Sequence, residues 1–156
     1  MLFHLSDYIL ESPIYAIYLF CELSKDEYYR ICEIIRYYCR KDDVSWIAVY
    51  STTDSKSAET IIFKTGKRGR PKKIIIGKNV AGHSHISVVG SKNKSAYKTA
   101  KKIKKALDRK WSIPITRIVS KGNGFDSGIW IGYIYKQADV YRQGGDFDFA
   151  EHQIIL

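Results

Sequence analysis

The chain has 156 residues, 45% hydrophobic and 13% aromatic, which suits one globular domain, residues 1–156, whose core needs neither disulfides nor structural metal. No apolar run approaches the roughly 20 residues of a membrane span, and MLFHLSDYIL has no basic segment ahead of an apolar one, so neither membrane insertion nor a signal peptide is expected. Lys and Arg number 26 against 16 Asp and Glu, a net charge of +10, which disfavours acidic partners' opposites and points to a polyanion, most simply nucleic acid. The excess is clustered: residues 64–78 (KTGKRGRPKKIIIGK) carry seven basic residues and no acid, and residues 92–110 carry nine and one acid, Asp108.

In chain order, IYAIYLFCEL (14–23) is aromatic-rich and predicts a central strand. Ser24, with Glu27 three residues on, predicts a capped helix. Ile31, Cys32, Ile34, Ile35, Tyr38 and Cys39 form its apolar stripe, and Lys41-Asp42-Asp43 ends it. The three cysteines, Cys21, Cys32 and Cys39, have no CxxC spacing. Cys32 and Cys39 fall roughly 10 Å apart on one helix, too far for a disulfide. They read as small buried hydrophobes of a reducing compartment, so a cytoplasmic protein is expected.

Strands are predicted at 45–52 and 59–64, followed by a basic hairpin or loop at 65–73 and a short apolar run, Ile74–Ile76. A strand at 82–89 comes next, then a helix at 94–108 with Ala96, Ala100, Ile103 and Leu107 on one side and lysines over the rest. A strand at 113–120, a glycine-containing loop at 121–126 and a helix at 129–142, stopped by Gly144-Gly145, complete the order. Strands interleaved with helices in this order predict an α+β sandwich: a central antiparallel sheet of about five strands, with helices on one face.

Two motifs carry chemistry. Strand alternation sends His83, His85 and Ser87 to one face of 82–89, giving a metal two imidazole nitrogens from one rigid element. Fifty residues later, WIGYIYKQADVYRQGGDF places Tyr133 and Lys136 three apart, on one side of a helix, with Gln137 beside them. A tyrosine can attack a phosphodiester and stay on it as phosphotyrosine, a divalent cation can polarise the phosphate, and an ammonium can offset developing charge.

HSH at 83–85 and YIYK at 133–136 together resemble the HUH endonucleases, in particular the replication initiators that start rolling-circle replication of small plasmids and single-stranded DNA viruses. The order also fits, since the histidines precede the tyrosine. The resemblance covers roughly residues 13–143 and implies an RRM- or ferredoxin-like fold. It implies that His83 and His85 hold Mg²⁺ or Mn²⁺ with a third ligand, commonly a Glu, Asp, His or Gln on a nearby strand, Glu59 as first choice and Glu22 as second. It implies that Tyr133 is the single nucleophile and that Lys136 is its cationic partner. Tyr135 points away from Tyr133 on the helix, and Tyr141, two turns on, has a positional role at most. Ser84 departs from the bulky hydrophobe usual between the histidines. The implied activity is metal-dependent nicking and joining of single-stranded DNA at an origin hairpin through a 5′-phosphotyrosine. No GxxxxGK[ST] is present, so unwinding would fall to a host helicase alongside other replication proteins. The oligomeric state is left open.

Within the basic loop, Lys67, Arg68, Arg70, Lys72 and Lys73 are expected to contact DNA. Arg68-Gly69-Arg70-Pro71 is also the core of an AT-hook, which inserts arginines into a narrow minor groove; a hairpin tip touching phosphates is the plainer reading. Two alternatives to a replication initiator are a transposase of the same superfamily and a non-enzymatic, RRM-like nucleic-acid-binding module, for which the aromatics of 14–23 would supply a stacking surface.

Overall fold

A computed structural model describes residues 13–53, 59–63, 72–76, 79–90 and 96–155, with residues 53, 59–63, 72–76 and 79–81 described by backbone alone. Seven strands and three helices follow in the order β1 (Ile14–Leu19), α1 (Lys25–Asp42), β2 (Ser45–Thr53), β3 (Glu59–Phe63), β4 (Lys72–Ile76), β5 (Asn79–Val89), α2 (Ala96–Trp111), β6 (Thr116–Ser120), α3 (Gly124–Gln137) and β7 (Val140–Gly144), with a 3-10 turn at Ala150–His152.

Helix α1 starts where the capping box predicts. The Ser24 hydroxyl accepts from the Glu27 N–H, and the Ser24 N–H donates to the Glu27 carboxylate, both at 3.1 Å. It ends at Asp43, which takes the left-handed conformation (φ 55°) while its N–H reaches back to the Arg40 and Cys39 carbonyls.

Five strands form one antiparallel sheet in the order β6-β1-β5-β2-β7, and β3 and β4 pair separately as an antiparallel ribbon. The unit β1-α1-β2-β5-α2-β6 has the crossovers and strand order of a ferredoxin-like α+β fold, with β7 added at one edge.

Alternation along the strands builds two cores. Ile17, Trp46, Ala48, Tyr50, Ile86 and Val88 face α1 and α2, where they meet Ile31, Ile35, Cys39, Ile103 and Leu107. Ile14, Ile47, Val49 and Val89 face the other way and are covered by Ile131 and Ile134 of α3 and by Phe149. The expectation of helices on one face is therefore corrected: α1 and α2 lie on one side and α3 on the other. Cys32 and Cys39 are buried, Cys21 is half-buried, and all three are free thiols. Burial pushes the Cys32 thiol up to about 11 and that of Cys39 to about 12, so both stay protonated packing groups.

Several boundaries differ from expectation: the first strand, predicted to Leu23, ends at Leu19, and the strand predicted at 113–120 begins at Thr116. The second predicted helix, 94–108, runs to Trp111. The third, predicted at 129–142, begins at Gly124 and ends at Gln137, and the residues that follow form β7. Asp139 makes that break. Its N–H donates to the Tyr50 carbonyl at 2.9 Å, and its carboxylate accepts from the Thr52 N–H (2.8 Å) and hydroxyl (2.6 Å), which turns the chain into the edge of the sheet. Tyr141 accordingly sits exposed on β7 and not on the helix of Tyr133.

Candidate active site

The histidine strand β5 is the middle strand of the sheet. His85 stands between Tyr18 of β1 and Val49 of β2, and His83 stands opposite Ser51. At its start, Gly82 brings the backbone hard against the segment after β1. The Leu23 N–H donates to the Gly82 carbonyl at 2.7 Å, and a Cβ at position 82 would lie 2.2 Å from the Leu23 carbonyl oxygen. The Tyr50 hydroxyl closes the same corner by donating to that Leu23 oxygen at 3.2 Å. The two imidazoles thus project from a tightly fixed length of backbone, with ring centroids 5.2 Å apart.

Helix α3 lies over this face and brings three side chains down to the histidines. The Tyr133 ring is 6.0 Å from that of His85, and the Trp130 ring is 5.8 Å from it. Gln137, one turn beyond Tyr133, places Oε1 3.2 Å from His85 Nε2. Trp130 and Tyr133 stack at 5.5 Å with an interplanar angle of 29°. The indole N–H of Trp130 donates to the buried Ser87 hydroxyl at 2.8 Å, which ties the third polar position of β5 to the same helix. Lys121, just before α3, holds its ammonium 4.1 Å above Trp130 and 4.9 Å above Tyr18, a cation–π bracket at the edge of the cluster.

The carboxyl of Asp139 is held below its ordinary value chiefly by the Thr52 hydroxyl and N–H, with a smaller contribution from His83.

Of the residues expected from sequence, His83, His85 and Tyr133 come together. Lys136 shares α3 with Tyr133 and is exposed to solvent. Tyr135 points elsewhere: its hydroxyl donates to Gln143 at 3.2 Å, and burial pushes it up to about 12. Glu59 opens β3 in the separate ribbon, paired with Ile76, and its side chain lies outside the described residues. Glu22 is exposed, and among the described residues no third His, Cys, Asp or Glu gathers with the two histidines. Of the loop residues expected to touch DNA, Lys67, Arg68 and Arg70 lie outside the described residues, and Lys72 and Lys73 begin β4.

Two imidazoles and a carboxamide oxygen make a borderline donor set, one that suits Mn²⁺ or Zn²⁺ better than Mg²⁺. Neighbouring ligands of an octahedral ion with bonds of about 2.1 Å stand roughly 3 Å apart, close to the separation of His85 Nε2 and Gln137 Oε1. Gln137 is 4% exposed, and its amide nitrogen has no hydrogen-bond partner among the described residues, an unusual cost for a side chain whose only purpose is packing. His83, His85 and the Gln137 carbonyl oxygen are therefore the residues that could hold the ion. Gln137, in place of the expected Glu59 or Glu22, comes from the helix and not from a nearby strand; its signal in the sequence is the four-residue step from Tyr133, which returns to the same side of the helix. Trp130, one turn before Tyr133, follows from the same periodicity. No family model, curated protein or solved structure matches the chain.

Proposed function

We propose that this protein nicks and rejoins single-stranded DNA by transesterification through Tyr133, with a divalent metal held by His83, His85 and Gln137. The observation that carries the proposal is the meeting of one strand and one helix: the Tyr133 ring lies beside the His85 ring, while Gln137, from the same helix, reaches the same imidazole.

The chemistry follows from those positions. The Tyr133 oxygen attacks the scissile phosphorus, a P–O–tyrosine bond forms, and the bond to the 3′ oxygen breaks. The phenolic proton is made up on the departing 3′ hydroxyl, so the products are a 5′-phosphotyrosine and a free 3′ end. Rejoining is the same reaction in reverse. When bound, the ion's contribution is Lewis-acid polarisation of the scissile phosphate. Stacking on Trp130 limits rotation of the Tyr133 ring, and Lys121 and Lys136 supply positive charge for the incoming phosphate.

The setting we propose, by the resemblance of the HSH and YIYK motifs, is initiation of rolling-circle-type replication. A transposase would use the same chemistry. A passive RRM-like module binds nucleic acid on an open sheet face, whereas α3 covers much of that face here.

The test is incubation of the protein with labelled single-stranded DNA and Mn²⁺. A covalent adduct is expected, lost in Tyr133→Phe and His83→Ala and retained in Tyr135→Phe. Binding without an adduct under any divalent metal overturns the enzymatic reading and leaves a binding module.

A further inference from the structure

Among the described residues, a dense group of cations lies on α2, across the sheet from Tyr133. Helix α2 lies on the α1 side of the sheet, and α3 lies on the other. At about 100° per residue, Lys98, Lys101, Lys102, Lys105 and Arg109 fall within one arc of α2, opposite the buried Ala100, Ile103 and Leu107. All five are exposed. Lys102 is paired with Asp42 at 2.9 Å, and Lys104, beside the arc, with Asp108 at 2.7 Å. Lys98, Lys101, Lys105 and Arg109 have no acidic partner among the described residues. Among the described residues, a row of cations without acidic partners is left facing solvent.

We infer that α2 is a second nucleic-acid-binding surface, and that it takes the phosphate backbone of duplex DNA, independently of the chemistry at Tyr133. Length supports this. From Lys98 to Arg109 the helix rises roughly 16 Å, the span of about five base pairs, over which a duplex presents close to ten phosphates. The arc of cations itself carries no aromatic side chain, which favours duplex over single strand. Single strands are held by cations interleaved with open aromatic faces. The aromatic residue nearest the arc is a single tyrosine, Tyr97, which is exposed and packs on Tyr15 at 5.3 Å with the Lys101 ammonium 4.9 Å from its ring. The α3 face has the contrasting make-up, with Tyr18, Trp130 and Tyr133 clustered under a single lysine. One side of the sheet is equipped for unpaired bases and the other for a paired backbone, as an origin with a melted site and a duplex flank would require.

The experiment measures binding of the full chain, without metal, to a duplex and to a single strand of the same length across a salt series. Replacing Lys98, Lys101, Lys105 and Arg109 together by Gln is expected to weaken duplex binding at low salt by roughly a hundredfold. It should also flatten the slope of log K against log[salt] by roughly 3 to 4, since each neutralised phosphate contributes about 0.9. Single-strand binding and adduct formation on a short single strand should change little. A companion variant with the three lysines replaced by Arg should bind duplex as the parent does, with the same helical circular dichroism. Unchanged duplex affinity and slope in the Gln variant overturns the proposal, as does an equal loss on the single strand or a failure of the Arg variant to bind. If no adduct ever forms, the reading of Tyr133 falls alone, because the duplex measurement does not use it.

Discussion

Gln137 is the residue whose placement is hardest to account for by packing. It sits in the last turn of α3, almost fully buried, with its carbonyl oxygen on His85 and its amide nitrogen without a partner among the described residues. Replacing it by Ala should weaken Mn²⁺ binding by roughly 10-fold or more, while Gln137→Glu, which adds charge to the ligand set, should bind at least as tightly. Calorimetric titration of the apo protein reads both; equal affinity in parent and Ala variant would remove Gln137 from the site. The histidines and Tyr133 were legible in the sequence because their residue types and spacing name a chemistry. Gln137 is readable only as a neighbour of Tyr133 on the helix; its contact with His85, like the places of Trp130 and Lys121, follows only when α3 is laid on β5.

A second residue-scale prediction concerns Asp108. Its carboxylate accepts from the Ile115 and Thr116 N–H groups and the Thr116 hydroxyl at 2.7–3.0 Å, and pairs with Lys104. Partial burial raises its pKa, but the contacts from Lys104 and Thr116 outweigh this, and the carboxyl lies below its ordinary value. A depressed carboxyl stabilises the fold above its unfolded pKa of about 4 and loses that contribution as pH falls through the lower, folded value. Asp108→Asn should cost about 1–3 kcal/mol at neutral pH, with the difference from the parent shrinking below about pH 4. A pH series of melting curves checks it, and a constant difference down to strong acid would count against this assignment.

At the scale of elements, α3 is the informative case. Its glycines look like a defect in a helix. In the structure they are where another backbone passes: Ile154 donates its N–H to the Gly128 carbonyl at 2.8 Å, and a Cβ on Gly132 would sit 2.1 Å from the Ile154 carbonyl oxygen. Helix propensity favours Ala over Gly by about 1 kcal/mol in an exposed position. Here Gly132→Ala should instead destabilise by about 1–3 kcal/mol and lower adduct formation, since the helix that carries Tyr133 must shift. Denaturant unfolding settles the sign. The same distant contacts explain why the end of α3 was misjudged from sequence. YIYKQADVYRQ has no local stop at Gln137; the stop is the anchoring of Asp139 by Tyr50 and Thr52, some 87 residues away along the chain. Helix α1, whose start is set by Ser24 and Glu27 alone, was readable for the opposite reason.

Across the whole molecule, the sheet divides two unequal cores. The layer of α1 and α2 buries a broad set that includes Tyr28, whose hydroxyl donates to the Ala48 carbonyl at 2.6 Å, whereas the α3 layer rests on a smaller group around Ile131, Ile134 and Phe149. Cooperative units with less buried apolar surface open at lower free energy, so amides of α3 should exchange with deuterium before those of α1. Phe149 is fully buried and comes from the segment after β7, so it acts as the bolt of this layer. Phe149→Ala should cost about 3–5 kcal/mol, with loss of protection concentrated in α3 and β7. Because Tyr133 and Gln137 ride on that helix while the cations of α2 do not, the variant should lose adduct formation and keep duplex binding. Uniform loss of protection in both layers would mean instead that the two cores unfold as one.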